Sequence, residues 1–204
     1  KLEHDFLKCE FQFKINPNLA LSDSIDKIID TLEPLASANK RALYLLSECY
    51  SLKIRNLTHL ECLDKIVETT EKMMKIKEDL FGTIFCDLPM ILNNMGLLYQ
   101  NYYQDLDSAE ALLGDCIQCL LLLHGQMHPY LGPCLNNLAA IYSERGHHLK
   151  GLELLEISWA LTKLSKSDAF TALEKVMYLS NMAMLYQKTG NYPKAINLGE
   201  QALN

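Results

Sequence analysis

The sequence predicts an all-α solenoid of stacked antiparallel helix pairs, on three observations. Four segments repeat one pattern: LYLLSECY at 43–50, LNNMGLLY at 92–99, LNNLAAIY at 135–142 and LSNMAMLY at 179–186. Their tyrosines, Tyr50, Tyr99, Tyr142 and Tyr186, stand 49, 43 and 44 residues apart. Gly82 and Gly125 are also 43 apart, each twelve residues before an Asn, Asn94 or Asn137. Two markers sharing one period of this length signal an array of supersecondary units, each burying its apolar face against the next.

The elements follow in order. Residues 1–38 read as a degenerate helix pair, with apolar stripes at Leu2, Phe6, Cys9, Phe13 and at Leu21, Ile25, Ile28, Ile29, Leu32, parted by Pro17. Residues 39–204 read as four helix pairs, 39–81, 82–124, 125–166 and 167–204. In each first helix, apolar residues at helical spacing form one face. A small residue (Ser47, Gly96, Ala139, Ala183) lets a neighbouring helix approach closely. The second helices are expected at about 58–80, 107–123, 149–164 and from Tyr192 onward, with Thr58/Glu61 and Asp107/Glu110 as capping pairs. Gly146 and Gly190, four residues after Tyr142 and Tyr186, mark helix ends. The final segment starts an apolar packing face at Ala195, Ile196, Leu198 and Leu203. The expectation is that the protein continues past Asn204, or that this end is covered by a partner or by self-association through the C-terminal helix.

Composition narrows the function. With 204 residues, 49% of them hydrophobic, the chain can bury a substantial core. Nineteen basic against 25 acidic residues give a net charge of −6 with no basic block, which argues against a nucleic-acid ligand. No apolar run is long enough for a bilayer, so membrane insertion is not expected. Seven cysteines, odd in number and scattered through apolar helices, read as reduced cytoplasmic thiols. Lys1 opens the chain without a signal-like segment, as a soluble fragment of a longer protein would.

The period near 42 and the segment HGQMHPYLGPCLNNLAAIYSERG at 124–146 resemble the tetratricopeptide repeats (TPRs) of kinesin light chains. The matching residues are Gly125, His128, Pro129, Leu135, Asn136, Asn137, Leu138, Ala139 and Tyr142. The second copy keeps Gly82, Leu92, Asn93, Asn94 and Tyr99, and the last keeps Asn181, Ala183, Tyr186, Gly190 and Ala195. The resemblance implies a TPR superhelix that binds protein or peptide. One extra residue within Gln104–Asp107, and Gly151 where the second helix usually has Ala, depart from that pattern. The extension resembles the amyloid-precursor-binding TPR substrate receptors of cullin ubiquitin ligases.

In such an array the first helices line a concave groove. Counting from each Tyr, the expected groove residues are Arg41, Tyr44, Glu48 and Ser51; Met90, Asn93, Leu97, Gln100 and Asn101; Asn136, Ala140, Ser143 and Glu144; then Met177, Ser180, Met184, Gln187 and Lys188. Amides can pair with both the N–H and the C=O of an extended peptide, and methionines adapt to varied side chains. The second Asn of each pair, Asn94, Asn137 and Asn181, is assigned to structure, bonded to the backbone of a neighbouring turn. Cys116, Cys119, His124 and His128 lack the spacing of a zinc finger and sit in an apolar helix, so no metal is assigned. His128-Pro129 reads as a helix start. No phosphate loop or nucleophile motif occurs, His147 and His148 fall in a turn, and Glu71, Glu78, Glu153 and Glu156 read as solvated faces; no cofactor and no catalysis are expected. The alternative is an accessory helical domain of a multidomain enzyme, a ubiquitin-ligase receptor or a methyltransferase repeat tail.

Overall fold

The computed structural model describes residues 1–126, 128–164 and 172–203. The repeat boundary expected at 166/167 and the terminal Asn204 lie outside them. Among the described residues the chain forms ten α-helices and one π turn, with no strand. The helices gather into two compact units, 1–85 and 86–204.

The first unit holds α1 (Leu2–Ile15), α2 (Leu19–Ala36), α3 (Lys40–His59) and α4 (Leu63–Phe81). Pro17 lies in the break between α1 and α2, where Asn18 caps α2 by accepting from the Leu21 amide. All five residues of the predicted α2 stripe are buried, and they pack with α3, which buries Leu46, Cys49, Tyr50 and Leu52. The α1 stripe is shallower: Cys9 is buried, while Leu2, Phe6 and Phe13 are half-buried. Phe13 lies edge-on to His59 and carries Arg55 over its ring. Asn56, fully buried, donates to the Asn18 carbonyl and to Ser22 Oγ, tying α3 to the start of α2.

The expected α4 start is corrected. Helix α3 runs nine residues past Tyr50, about two extra turns, which accounts for the longer first interval between tyrosines. Thr58 therefore lies inside α3, its hydroxyl bonded to the Ile54 carbonyl, and Glu61 sits in the following turn with φ of 55°. Neither caps α4.

The second unit holds α5 (Leu88–Leu98), the π turn (Tyr99–Tyr103), α6 (Leu106–His124), α7 (Leu131–Glu144), α8 (His148–Leu164), α9 (Ala172–Lys188) and α10 (Tyr192–Leu203). Helices α5 and α6, α7 and α8, and α9 and α10 pair, and α6 to α7 and α8 to α9 join the pairs. Two apolar clusters form the core: Ala109 and Leu113 with Leu138, Ile141 and Tyr142; and Ala139, Leu152 and Leu155 with Tyr178, Met182, Leu185 and Tyr186. Gly96 is needed at the α5–α6 contact, where a Cβ would lie 2.9 Å from Leu113 Cγ.

Three of the first helices end by one rule. After α3, α7 and α9 the amides of Cys62, His147 and Asn191 donate to the carbonyls of Leu57, Tyr142 and Tyr186, five residues back, at 3.0, 2.8 and 2.9 Å. The residues just before, Glu61, Gly146 and Gly190, are left-handed, as this helix stop requires. The extra residue of the second repeat sits earlier than expected. It is absorbed as the π turn, a wider loop of helix that admits one residue, closed by left-handed Gln104 and an Asp105 N–H to Tyr99 C=O bond. The cap of α6 is accordingly Asp105, which accepts from the Ser108 amide and hydroxyl, and not Asp107. Those bonds hold the Asp105 carboxyl below its ordinary pKa. Likewise α7 begins at Leu131, two residues after Pro129, so His128-Pro129 forms the turn ahead of the helix.

Candidate functional site

Helices α5, α7 and α9, with the π turn that follows α5, carry the predicted groove residues of the second unit, and a row of amides links the helices. Asn137 Nδ2 donates to Asn93 Oδ1 (2.9 Å), Asn181 Nδ2 donates to Asn136 Oδ1 (3.0 Å), and Asn136 Nδ2 reaches Asn137 Oδ1 (3.5 Å). The second Asn of one repeat thus bonds the first Asn of the preceding repeat. This corrects two expectations. Asn93 and Asn136 are buried, at 5% and 6% exposure, and are structural, not free groove amides. Asn137 and Asn181 bond side chains, not backbone, while Asn94 is exposed. The signal was present in the repeated Asn-Asn, because a buried amide needs a partner and the same pair supplies it one period away.

A second row lies at the helix C-termini. Gln100, buried, donates to Glu144 Oε1, and Lys188 Nζ donates to the buried Ser143 Oγ at 3.1 Å. These predicted ligand contacts are therefore partly engaged within the chain. Met90, Met177 and Met184, 50%, 41% and 45% exposed, remain open, together with Asn101, Ser180 and Gln187; Leu97 and Ala140 are half-buried. Asn101 bonds the Leu97 carbonyl of its own helix. Between α7 and α9 a narrow pocket is floored by Ala139, Leu155 and Leu185 and walled by Asn136, Asn181 and Met184.

The remaining predicted residues lie on α3, in the first unit. Arg41 is exposed and pairs with Glu3 of α1 at 2.6 Å; Tyr44 is half exposed. Glu48 lies 3.9 Å from buried Lys77, and Ser51 donates to Met73 Sδ.

Three of the four tyrosines that mark the repeat share one bond that sequence reasoning missed. Tyr50, Tyr142 and Tyr186 each donate to a carboxylate of the preceding helix, Glu33, Glu110 and Glu156. Glu156, expected on a solvated face, also meets Lys194, and Arg145 pairs with Asp107 and Glu110. Burial and the carboxylate partner push the Tyr50 and Tyr186 hydroxyls above their ordinary pKa, so both stay protonated donors near neutrality. Tyr142→Phe is expected to cost about 1 kcal/mol by removing one such donor, read as a lower urea midpoint with unchanged slope.

Among the described residues no group of three or more His, Cys, Asp or Glu is placed to hold a metal. Of the four residues weighed for zinc, Cys116 faces Cys134 of α7, the sulfurs 3.2 Å apart and both buried, while His124 and His128 stack on one another. The bond to Cys116, then burial, push the Cys134 thiol above its ordinary pKa. No described helix is long and apolar enough to cross a membrane.

Residues 176–204 match the tetratricopeptide repeat model. No curated protein matches the sequence. The fold is similar to that of BtubC (BKLC) from P. vanneervenii, with a TM-score of 0.72 at 17% identity over 98% of this chain and 86% of that one. It is also similar to a kinesin-light-chain candidate with nearly identical TPR-like repeats from Podosopora anserina, with a TM-score of 0.63 at 16% identity over 98% and 92%. The apo form of RapI gives 0.67 at 12% identity over 99% of this chain and 63% of that one. The chain has the fold of a TPR solenoid, and its last repeat carries the sequence signature as well.

Proposed function

We propose that the protein is a non-catalytic scaffold that holds a segment of a protein partner along the face of α5, α7 and α9. The observation that carries this reading is the row of exposed methionines, Met90, Met177 and Met184, set among exposed polar side chains on first helices that the amide ladder already fixes. A fixed wall limits the ordering cost of binding, and mobile thioethers adapt to the ligand. The contacts assigned to the ligand are Met90, Asn101, Met177, Ser180, Met184 and Gln187, with Glu144 and Lys188 at the rim. Arg41, Tyr44 and Glu48 on α3 belong to the same class of position in the repeat 39–81. A short segment held this way has a dissociation constant on the order of micromolar, about −8 kcal/mol. Seven thiols suit a reducing compartment such as the cytoplasm. A substrate receptor within a larger ligase would use the same face for its substrate segment.

A photo-crosslinking amino acid placed at Asn101 or Met177, both outside the α9–α10 groove, tests the reading in cell lysate. The expected result is one polypeptide partner captured from both positions, not captured from Glu153 on α8, and lost at least tenfold on Met90→Glu. Equal capture from all three positions would assign binding elsewhere.

A further inference from the structure

The repeat supplies an internal template for what fits the open α9–α10 surface. On α8, Leu152 and Leu155 are 9% and 2% exposed because α9 lies over them, its Tyr178, Met182 and Tyr186 spaced i, i+4, i+8 against that surface. One period later, 44 residues on, the corresponding surface of α9 and α10 carries Ile196 and Leu203, 62% and 90% exposed, around an open groove lined also by Gly199. On its α9 side the groove is lined by Ser180, Met184 and Gln187, the edge of the proposed ligand face, so an occupant of the groove competes with the ligand there. A first-type helix with large apolar residues at i, i+4, i+8 would seat there as α9 does on α8. The chain presents such a helix uncovered: α1 exposes Leu7, Phe11 and Ile15, at 59%, 68% and 68%, with that spacing. This stripe is separate from the one α1 turns toward its own unit through Cys9 and Phe13.

We infer that the α9–α10 groove of one molecule receives α1 of a second copy, so that the chain associates head to tail. The contact continues the α8–α9 interface from molecule to molecule, with α1 in the place of α9. It is heterologous: each molecule offers two different faces, and association does not stop at two copies unless the rotation closes a ring. Lys14 stands where α9 has Leu185, which leaves three apolar anchors and places the contact among weak, small interfaces.

Sedimentation of the 204-residue chain up to millimolar concentration, with Phe11→Glu and Ile196→Glu, tests the inference. Both residues are exposed, so circular dichroism and the thermal midpoint are expected to match wild type in each variant. Wild type is expected to give a concentration-dependent series of oligomers and each variant alone a monomer. An equal mixture of the two variants is expected to restore a dimer and nothing larger, because each retains the face the other lacks. A monomeric wild type overturns the proposal. So does association that Phe11→Glu leaves intact, which would make the contact isologous, groove to groove.

Discussion

Gly151→Ala is expected to lower the stability of the second unit by about 1–3 kcal/mol, since overpacking a close helix contact forces backbone shifts. A Cβ at Gly151 would lie 2.9 Å from the Ala139 carbonyl oxygen, a backbone atom that cannot swing aside, and 3.4 Å from Leu185. Helices α7 and α8 are that close because Ala139, fully buried, is small as well. Ala139→Leu is expected to act in the same direction. Gly114→Ala is the control: it lies within α6 with no atom within 4 Å of the added carbon. Removing glycine from a helix interior there is expected to raise stability by about 0.5–1 kcal/mol. Urea unfolding with both variants decides the matter, and a Gly151→Ala protein as stable as Gly114→Ala would refute the close contact. Ala183 belongs to the same pattern but lines the open α9–α10 groove, so Ala183→Leu is expected to cost less than Ala139→Leu.

Asn136→Ala is expected to destabilise by about 1–3 kcal/mol, because it removes the bonds of a buried amide and leaves its half-buried partners unpaired. Asn181 Nδ2 loses its acceptor and Asn137 Oδ1 loses a donor. A double-mutant cycle of Asn136→Ala with Asn181→Ala is expected to show coupling of about 0.5–3 kcal/mol, as groups in one network do. Additive losses would mean that the two amides do not depend on each other.

The repeated tyrosines and small residues made the helix pairs legible, because period and packing have a common cause: each pair buries the same face against the next. Helix ends were legible where glycine marked them, at Gly146 and Gly190, and misplaced where Glu61 and Gln104 take the same left-handed conformation without announcing it. The candidate face was legible in position and less so in role. Asn93, Asn136, Gln100 and Ser143 have the residue types of a peptide-binding wall, and only the neighbouring repeat's side chains show that they are occupied. Leu7, Phe11 and Ile15 escaped notice because α1 is apolar on two sides, which blurs the single stripe that periodicity seeks.

The amide ladder has a direction. In each rung the later repeat gives the hydrogen and the earlier one accepts it, so the third repeat, with Asn136 facing forward and Asn137 facing back, is complete on both sides. A designer lengthening this array would copy residues 125–166, because a duplicate of that module meets its twin with an acceptor already opposite a donor. The fourth repeat keeps the backward donor, Asn181, but has Ser180 in the forward place, where a short hydroxyl replaces the amide. As a building block it fits the end of the row and not the middle.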